Sequence, residues 1–253
     1  KKMATVLSGT SGALYYKPAG TKGTFTSSNV TTASNTITVE PNLNFKVGDG
    51  VKFSVINAQT GGSGSGTLPA GLNTSDTFFI ISYTTSTGAL QVSATLGGSA
   101  LNITNTGTAA TPNEFQVAYA DFAAVGEVQS WSFSISREQI DTTTIGQTSG
   151  QSVPFRTSIA GFADGEGTAT VFVTDEDSAL ANRMVQDVTQ RNQVGAAFKL
   201  YIDKKPTESA SRSIALDAML SEAEFNVNPD DAQSVEITFK PTEAPTFDFS
   251  TSS

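Results

Sequence analysis

The clearest hydrophobic pattern lies in the second half of the chain. From Val128 to Ser136, Trp131, Phe133 and Ile135 alternate with Ser130, Ser132, Ser134 and Ser136. A period of two with one apolar and one small polar face predicts a half-buried β-strand. The run from Arg137 to Arg156 offers little to bury. It holds Asp141, Thr142-Thr143-Thr144 and Gly146-Gln147-Thr148-Ser149-Gly150, and it predicts a long polar loop. A second strand follows, with Ile159 and Gly161, a turn expected at Ala163-Asp164-Gly165-Glu166-Gly167, and then Thr168 to Thr174. There Ala169, Val171 and Val173 alternate with Thr168, Thr170, Phe172 and Thr174. A strand pair does not need such a loop for its core, so the loop reads as a contact element. Ile140, Ile145, Val153 and Phe155 would otherwise be exposed apolar residues without purpose, and Arg137, Asp141 and Arg156 are the candidates for its polar contacts.

One helix is expected. Asp175-Glu176-Asp177 can cap free N–H groups and complement the helix dipole. Leu180, Met184, Val185 and Val188 recur at helical spacing, with Arg183, Gln186, Asp187 and Gln190 expected on the outside. The helix should run to Arg191-Asn192 and stop before Gly195. Strands then fall at Ala197–Asp203, at Ser213–Val227, which is long and bent, and at Ser234–Lys240. Lys204 to Ser209 and Pro229 to Gln233 are the turns between them. Residues 241–253, with Pro241 and Pro245, read as an extended C-terminal arm.

Residues 21–118 differ in texture. Thr, Asn, Ser and Gly dominate and no helical period appears. Short strands are expected at Thr36–Val39, Val51–Ile56, Thr77–Tyr83, Leu90–Ala94, Asn102–Thr104 and Glu114–Ala118. Between them lie turns such as Val47-Gly48-Asp49-Gly50 and the linker-like Gly61 to Gly66. This spacing predicts a small all-β module inserted in a larger β-domain made of residues 1–20 and 119–240.

Composition narrows the chemistry. The chain has 253 residues with 15 Lys and Arg, 24 Asp and Glu, and neither His nor Cys, for a net charge of −9. Disulfides, thiolate metal sites and Cys nucleophiles are excluded, and the commonest general base and metal ligand is missing. The acid pairs Asp164/Glu166 and Glu176/Asp177 are explained by turn and cap chemistry. Asp175-Glu176-Asp177 and Asp230-Asp231 lack the alternating ligands of a calcium loop. No catalytic residue, cofactor site or metal site is therefore expected, nor an enzyme. A chain this acidic does not grip phosphates. No apolar run is long enough to cross a bilayer, and no signal peptide is visible. Lys1-Lys2 ahead of Met3 reads as a cloning remnant or an upstream extension.

The run Val128 to Ser136, then Arg137, Ile140-Asp141-Thr142-Thr143 and Phe155-Arg156 ahead of a strand reaching Phe172, resembles the tail tube protein of long-tailed bacteriophages. The resemblance covers residues 1–20 and about 119–240, and rests on the order and texture of elements. The segment Phe45 to Phe53, Leu68 to Leu72, Phe78 to Ile81 and Leu90 to Gly98 looks like a β-module inserted in several phage structural proteins. The resemblance implies a β-sandwich flanked by one helix, whose inner strands join six-fold into a ring of continuous β-barrel. Stacked rings form a hollow tube in the virion, assembled in the host cytoplasm. It implies partners too: further copies of the chain, a tape measure protein in the lumen, tail terminator and baseplate or tail-tip proteins, and DNA that transits without specific binding. The 137–156 loop would make inter-ring contact, and the insertion would project outward as decoration. A capsid-decorating or baseplate protein and a secreted β-domain adhesin are the alternatives.

Overall fold

The computed structural model describes residues 11–20, 22–126, 128–142, 156–173, 180–190, 193–227 and 232–249. The chain opens with β1 (Ala13–Lys17). There follow β2 (Gly23–Phe25), β3 (Val30–Thr31), β4 (Thr36–Thr38), β5 (Gly50–Asn57), β6 (Gly66–Thr67), β7 (Phe78–Thr84), β8 (Ala89–Ser93), β9 (Thr108–Ala109) and β10 (Asn113–Tyr119). Next come β11 (Ala123–Ala124), β12 (Val128–Asp141), β13 (Ser158–Phe172) and helix α1 (Leu180–Val188). The last strands are β14 (Ala197–Asp203), β15 (Arg212–Asn226), β16 (Ser234–Pro241) and β17 (Thr246–Asp248). The protein is thus mainly β, in antiparallel sheets, with one α-helix among the described residues.

The larger sheet runs β11-β1-β14-β15-β16-β13-β12, with β17 added alongside β15. It folds over on itself through β15. Arg212 to Asp217 pair with β14, whereas Ala218 to Asn226 pair with β16, and a bulge between Leu220 and Glu222 marks the change. Bulges bend the strand that carries them. The two halves close on one core. Leu14, Tyr16, Phe198 and Leu200 come from one half, and Ala169, Val171, Val235, Ile237 and Phe239 from the other. Phe198 stacks on Phe239 with ring centroids 4.2 Å apart.

The glycines expected to turn at residues 163–167 do not. β13 runs straight through Ala163 to Gly167, paired to β12 throughout. A Cβ on Gly167 would lie 2.3 Å from the Phe239 ring, and one on Gly165 would lie 2.8 Å from Pro241. Both are glycine because a ring lies flat on the strand there, a use of strand glycine that local sequence does not distinguish from a turn. Asp164 and Glu166 are accordingly strand residues. The other long strand places its apolar face as its alternation requires, with Trp131 and Phe133 packed on the core.

Strands β2 to β10 pair only among themselves among the described residues, in a sheet ordered β2-β10-β5-β7-β8-β4-β3 and the small pair β6-β9. They enclose a separate core with Phe25, Phe53, Phe78 and Phe115 at its centre. Ile103 belongs to this core without forming the strand expected at Asn102–Thr104. The Gly61–Gly66 stretch is tied down, with Ser63 bridged to Ile56 and Gly66 paired to Ala109. The C-terminal segment is extended, and Thr246 to Asp248 lie against Ser213 to Ala215.

A buried polar cluster joins the two cores. Helix α1 turns Arg183 and Asp187 inward, where they are 5% and 0% exposed. This corrects the expectation that both face outward: that side of the helix meets the 44–49 loop, which brings its own polar partners. Arg183 Nη2 donates to the Asn44 carbonyl (2.7 Å) and the Tyr119 hydroxyl (3.1 Å). Its Nε lies 3.2 Å from Asp49 and its Nη1 3.1 Å from Asp187, within ion-pair distance. Neither makes an aligned hydrogen bond, so the attraction there is Coulombic. Asp187 accepts from the Tyr16 hydroxyl (2.6 Å), the Ala19 N–H (3.2 Å) and Asn44 Nδ2 (3.1 Å). Burial disfavours the Arg183 charge, but Asp49, Tyr119 and Asp187 outweigh it and raise its pKa. Burial likewise pushes Asp49 up to about 6, against the pull of Arg183 and the Lys46 N–H.

Candidate assembly surface

The alternation of β12 gives it two usable faces, but the ladder gives it only one partner. Among the described residues this 14-residue strand is bonded to β13 alone, so its other edge is open. At the far side of the same half-sheet, β15 beyond Leu220 is bonded, among the described residues, to β16 alone. A β-sheet edge presents a row of unpaired N–H and C=O groups and templates pairing with another strand. Both edges also expose apolar side chains. Ile135 on β12 is 49% exposed, and Phe225 and Val227 at the end of β15 are 58% and 68% exposed.

The register assigns every residue of this half-sheet to a face. Trp131, Ala169, Ile237 and Ala223 stand in one row on the core side, with Phe133, Gly167, Phe239 and Leu220 in the next. The opposite face carries Ser132, Thr168, Thr238 and Glu222, and beside them Ser130, Thr170, Glu236 and Glu224. The hydroxyls of Ser132 and Thr168 lie 2.9 Å apart, and Glu166 meets Lys240 at 3.4 Å. This face is therefore rich in hydroxyls and carboxylates, with Lys240 as its cation among the described residues.

Past the main sheet, β12 and β13 continue as a two-stranded arm to the pair Asp141–Ser158. Arg137, Ile140 and Asp141 lie in β12, where a loop was expected. Their ladder partners Ala163, Ile159 and Ser158 sit far along the chain, beyond the reach of local pattern. Arg137 folds its Nε onto the Gly161 carbonyl (3.1 Å). Ile140 stays exposed, as do Ile159 and Phe162 on the opposing strand, and Arg156 is exposed at the arm's outer end. Ile145, Val153 and Phe155 lie outside the described residues. A register shift between Arg137 and Gln139 marks where the arm begins to diverge from the strand. The free edge of β15 was not foreseen; the bent Ser213–Val227 strand was its only local sign. No group of three or more acidic residues among those described is arranged to hold a metal ion.

Several solved structures are similar to part of this chain. Over 51% of its length the chain is similar to a protein in the tail of an empty gene transfer agent particle of C6 symmetry, with 87% of that chain covered, 14% identity and a TM-score of 0.39. A chain from the virion of a native gene transfer agent particle aligns over 50% of this chain and 88% of its own, at 14% identity and a TM-score of 0.37. The SPP1 tail tube aligns over 53% of this chain and 73% of its own, at 14% identity and a TM-score of 0.38. No family model matches the sequence, and no curated protein matches it.

Proposed function

We propose that this chain is a structural virion protein that closes into rings and stacks into a hollow tail tube, as its sequence resemblance implies. The observation that carries this reading is the pair of open edges, β12 and the end of β15, on opposite sides of one half-sheet. Each neighbour in β12-β13-β16-β15 is antiparallel, so β12 and β15 run in opposite directions. Copies related by rotation then meet β12 against β15 in the antiparallel sense, and one ladder continues from subunit to subunit. Such a head-to-tail contact closes into a ring when the rotation allows it. Closure turns two aggregation-prone edges into assembly and covers the exposed Ile135, Phe225 and Val227.

On this reading the hydroxyl and carboxylate face of Ser132, Thr168, Glu236, Glu222 and Glu224 lines the lumen. Phosphates are repelled there, so DNA slides without sticking. Six-fold rings, a tape measure protein in the lumen, and tail terminator and tip proteins at the ends complete the reading, with assembly in the host cytoplasm. The 23–119 strands form the inserted module and project outward, and the arm bearing Arg137, Ile140 and Asp141 reaches a neighbouring subunit. Negative-stain electron microscopy of the purified protein at rising concentration tests this. Hollow tubes or stacked rings are expected. Monomers or trimers alone, even with other tail components present, would move the reading to a capsid-decorating or baseplate protein.

A further inference from the structure

The alternation of β12 has a weakness as an assembly device. A slip of one residue turns polar side chains into the core, but a slip of two keeps every side chain on its proper face. Ser132, Ser134 and Ser136 are equivalent in that respect, so the pattern alone does not choose which of them stands opposite a given residue of the next subunit.

Gln193 supplies the missing choice. On the outer edge of β15 the Ala218 N–H is bonded to the Ala196 carbonyl at 3.0 Å. One step further, the side-chain amide of Gln193 takes the place of a strand. Its Oε1 accepts the Leu220 N–H at 2.6 Å, and its Nε2 donates to the Leu220 carbonyl at 3.0 Å. The same Nε2 lies 3.4 Å from the Val188 carbonyl at the end of α1, which holds it in place. Among the described residues the edge is therefore shut at Leu220 and open beyond it. After Arg137 the ladder between β12 and β13 shifts register, with Gly161 and Phe162 of β13 standing opposite Glu138 alone, and this β13 bulge bends the strand pair there.

We infer that Gln193 is the register stop of the intersubunit ladder: it meets β12 of the neighbouring copy at the point opposite the β13 bulge and leaves Ser136 opposite Glu222, Ser134 opposite Glu224 and Ser132 opposite Asn226. This rests on the edge-pairing reading above and adds a residue-level register to it. The apolar side agrees, because the same register sets Ile135 against Ala223, Phe133 against Phe225 and Trp131 against Val227. The exposed aromatic of one edge thus meets the half-buried aromatic of the other. Gln193 is a positioning residue here, acting through the backbone of Leu220.

The absence of cysteine from the chain makes the test direct. One preparation carries Glu224→Cys. Three others carry Ser132→Cys, Ser134→Cys or Ser136→Cys. Each is mixed with the first, assembled and oxidised, and the mixed disulfide is read on a non-reducing gel. Cysteines directly opposite on paired strands come within disulfide reach. Ser134→Cys is expected to dominate. Placing Gln193→Met in the Glu224→Cys chain frees the Leu220 groups, and the product ratio of Ser134→Cys to Ser132→Cys should fall roughly fivefold, the population ratio carried by one net backbone hydrogen bond. Should Gln193→Met fail to fold, Gln193→Glu, which keeps the acceptor and loses the donor, takes its place. Tubes that form with Ser132→Cys or Ser136→Cys dominant, with no disulfide at any of the three, or with a ratio unmoved by loss of Gln193, overturn the inference and leave the tube reading standing. Failure of the unsubstituted protein to form rings or tubes overturns both.

Discussion

The buried cluster around Arg183 predicts an unusual dependence of stability on pH, and Asp49→Asn isolates it. Asp49 is 6% exposed, and its pKa is raised from an ordinary 3.8 to about 6, chiefly by burial. Between those values the folded protein holds a proton that the unfolded chain has lost. Stability from this group is fully present below pH 4, falls as pH rises through 6, and is level above that. A shift of about two pH units corresponds to at most ~3 kcal/mol. In a chain of this size that is roughly 6–12 °C in melting temperature. Glu208 has the opposite sign. Lys199, Lys204 and Tyr201 lower it to about 2, so its contribution is lost as pH falls from 4.5 towards 2, a window that overlaps that of Asp49 only between 3.8 and 4.5. The assay is thermal unfolding of the unassembled subunit at pH 4.5 and pH 7, followed by circular dichroism. The parent protein should melt higher at pH 4.5. In Asp49→Asn the amide oxygen can still accept from the Lys46 N–H, an interaction of 2.8 Å in the parent. The difference between the two pH values should then shrink to a degree or two. A parent protein that melts higher at pH 7, or a variant that keeps the parent's slope, refutes the assignment.

Arg183→Met strands Asp49 and Asp187 as unpaired buried acids, and should cost about 3–5 kcal/mol at pH 7, measured by denaturant unfolding. Gly167→Ala forces a methyl against the Phe239 ring, which is buried and stacked on Phe198; a loss of about 1–3 kcal/mol is expected, read as a lower melting temperature. Phe225→Ser should leave the melting temperature of the unassembled subunit within a few degrees and strongly reduce tube formation by electron microscopy, because the side chain is exposed on the open edge. Trp131, the single tryptophan, lies on the edge strand β12, so assembly should shift its emission to the blue and protect it from acrylamide quenching.

The strands of the main sheet were legible wherever alternation met a buried face. Phe198, Leu200, Ile237 and Phe239 each lie at the apolar beat of their strand, and each is in the core. Local pattern misleads where a distant partner decides the outcome. Gly165 and Gly167 look like turn residues until Pro241 and Phe239 are seen lying on them. Arg183 and Asp187 look like solvated helix positions until Asn44, Asp49 and Tyr119 arrive from much earlier in the chain. The strands that carry the proposed contact residues were less legible. The 137–156 stretch reads locally as a loop, but the pairing of Arg137 and Ile140 in a strand arm depends on register with Ala163 and Ile159. The open edge of β15 shows locally only as a long, bent strand, because an edge is defined by the strand that is missing beside it.

The polar cluster also bears on how the 23–119 strands are carried. A greasy contact tolerates sliding and rotation, since apolar surface rewards burial in any direction. Hydrogen bonds reward direction, and here Asn44, Tyr119 and Asp49 must meet Arg183 and Asp187 from fixed angles. The joint therefore behaves as a keyed socket, with α1 as its fixed half. A different module grafted at the same site would inherit the orientation only if it brought a carboxylate, a hydroxyl and a side-chain amide to those same three places.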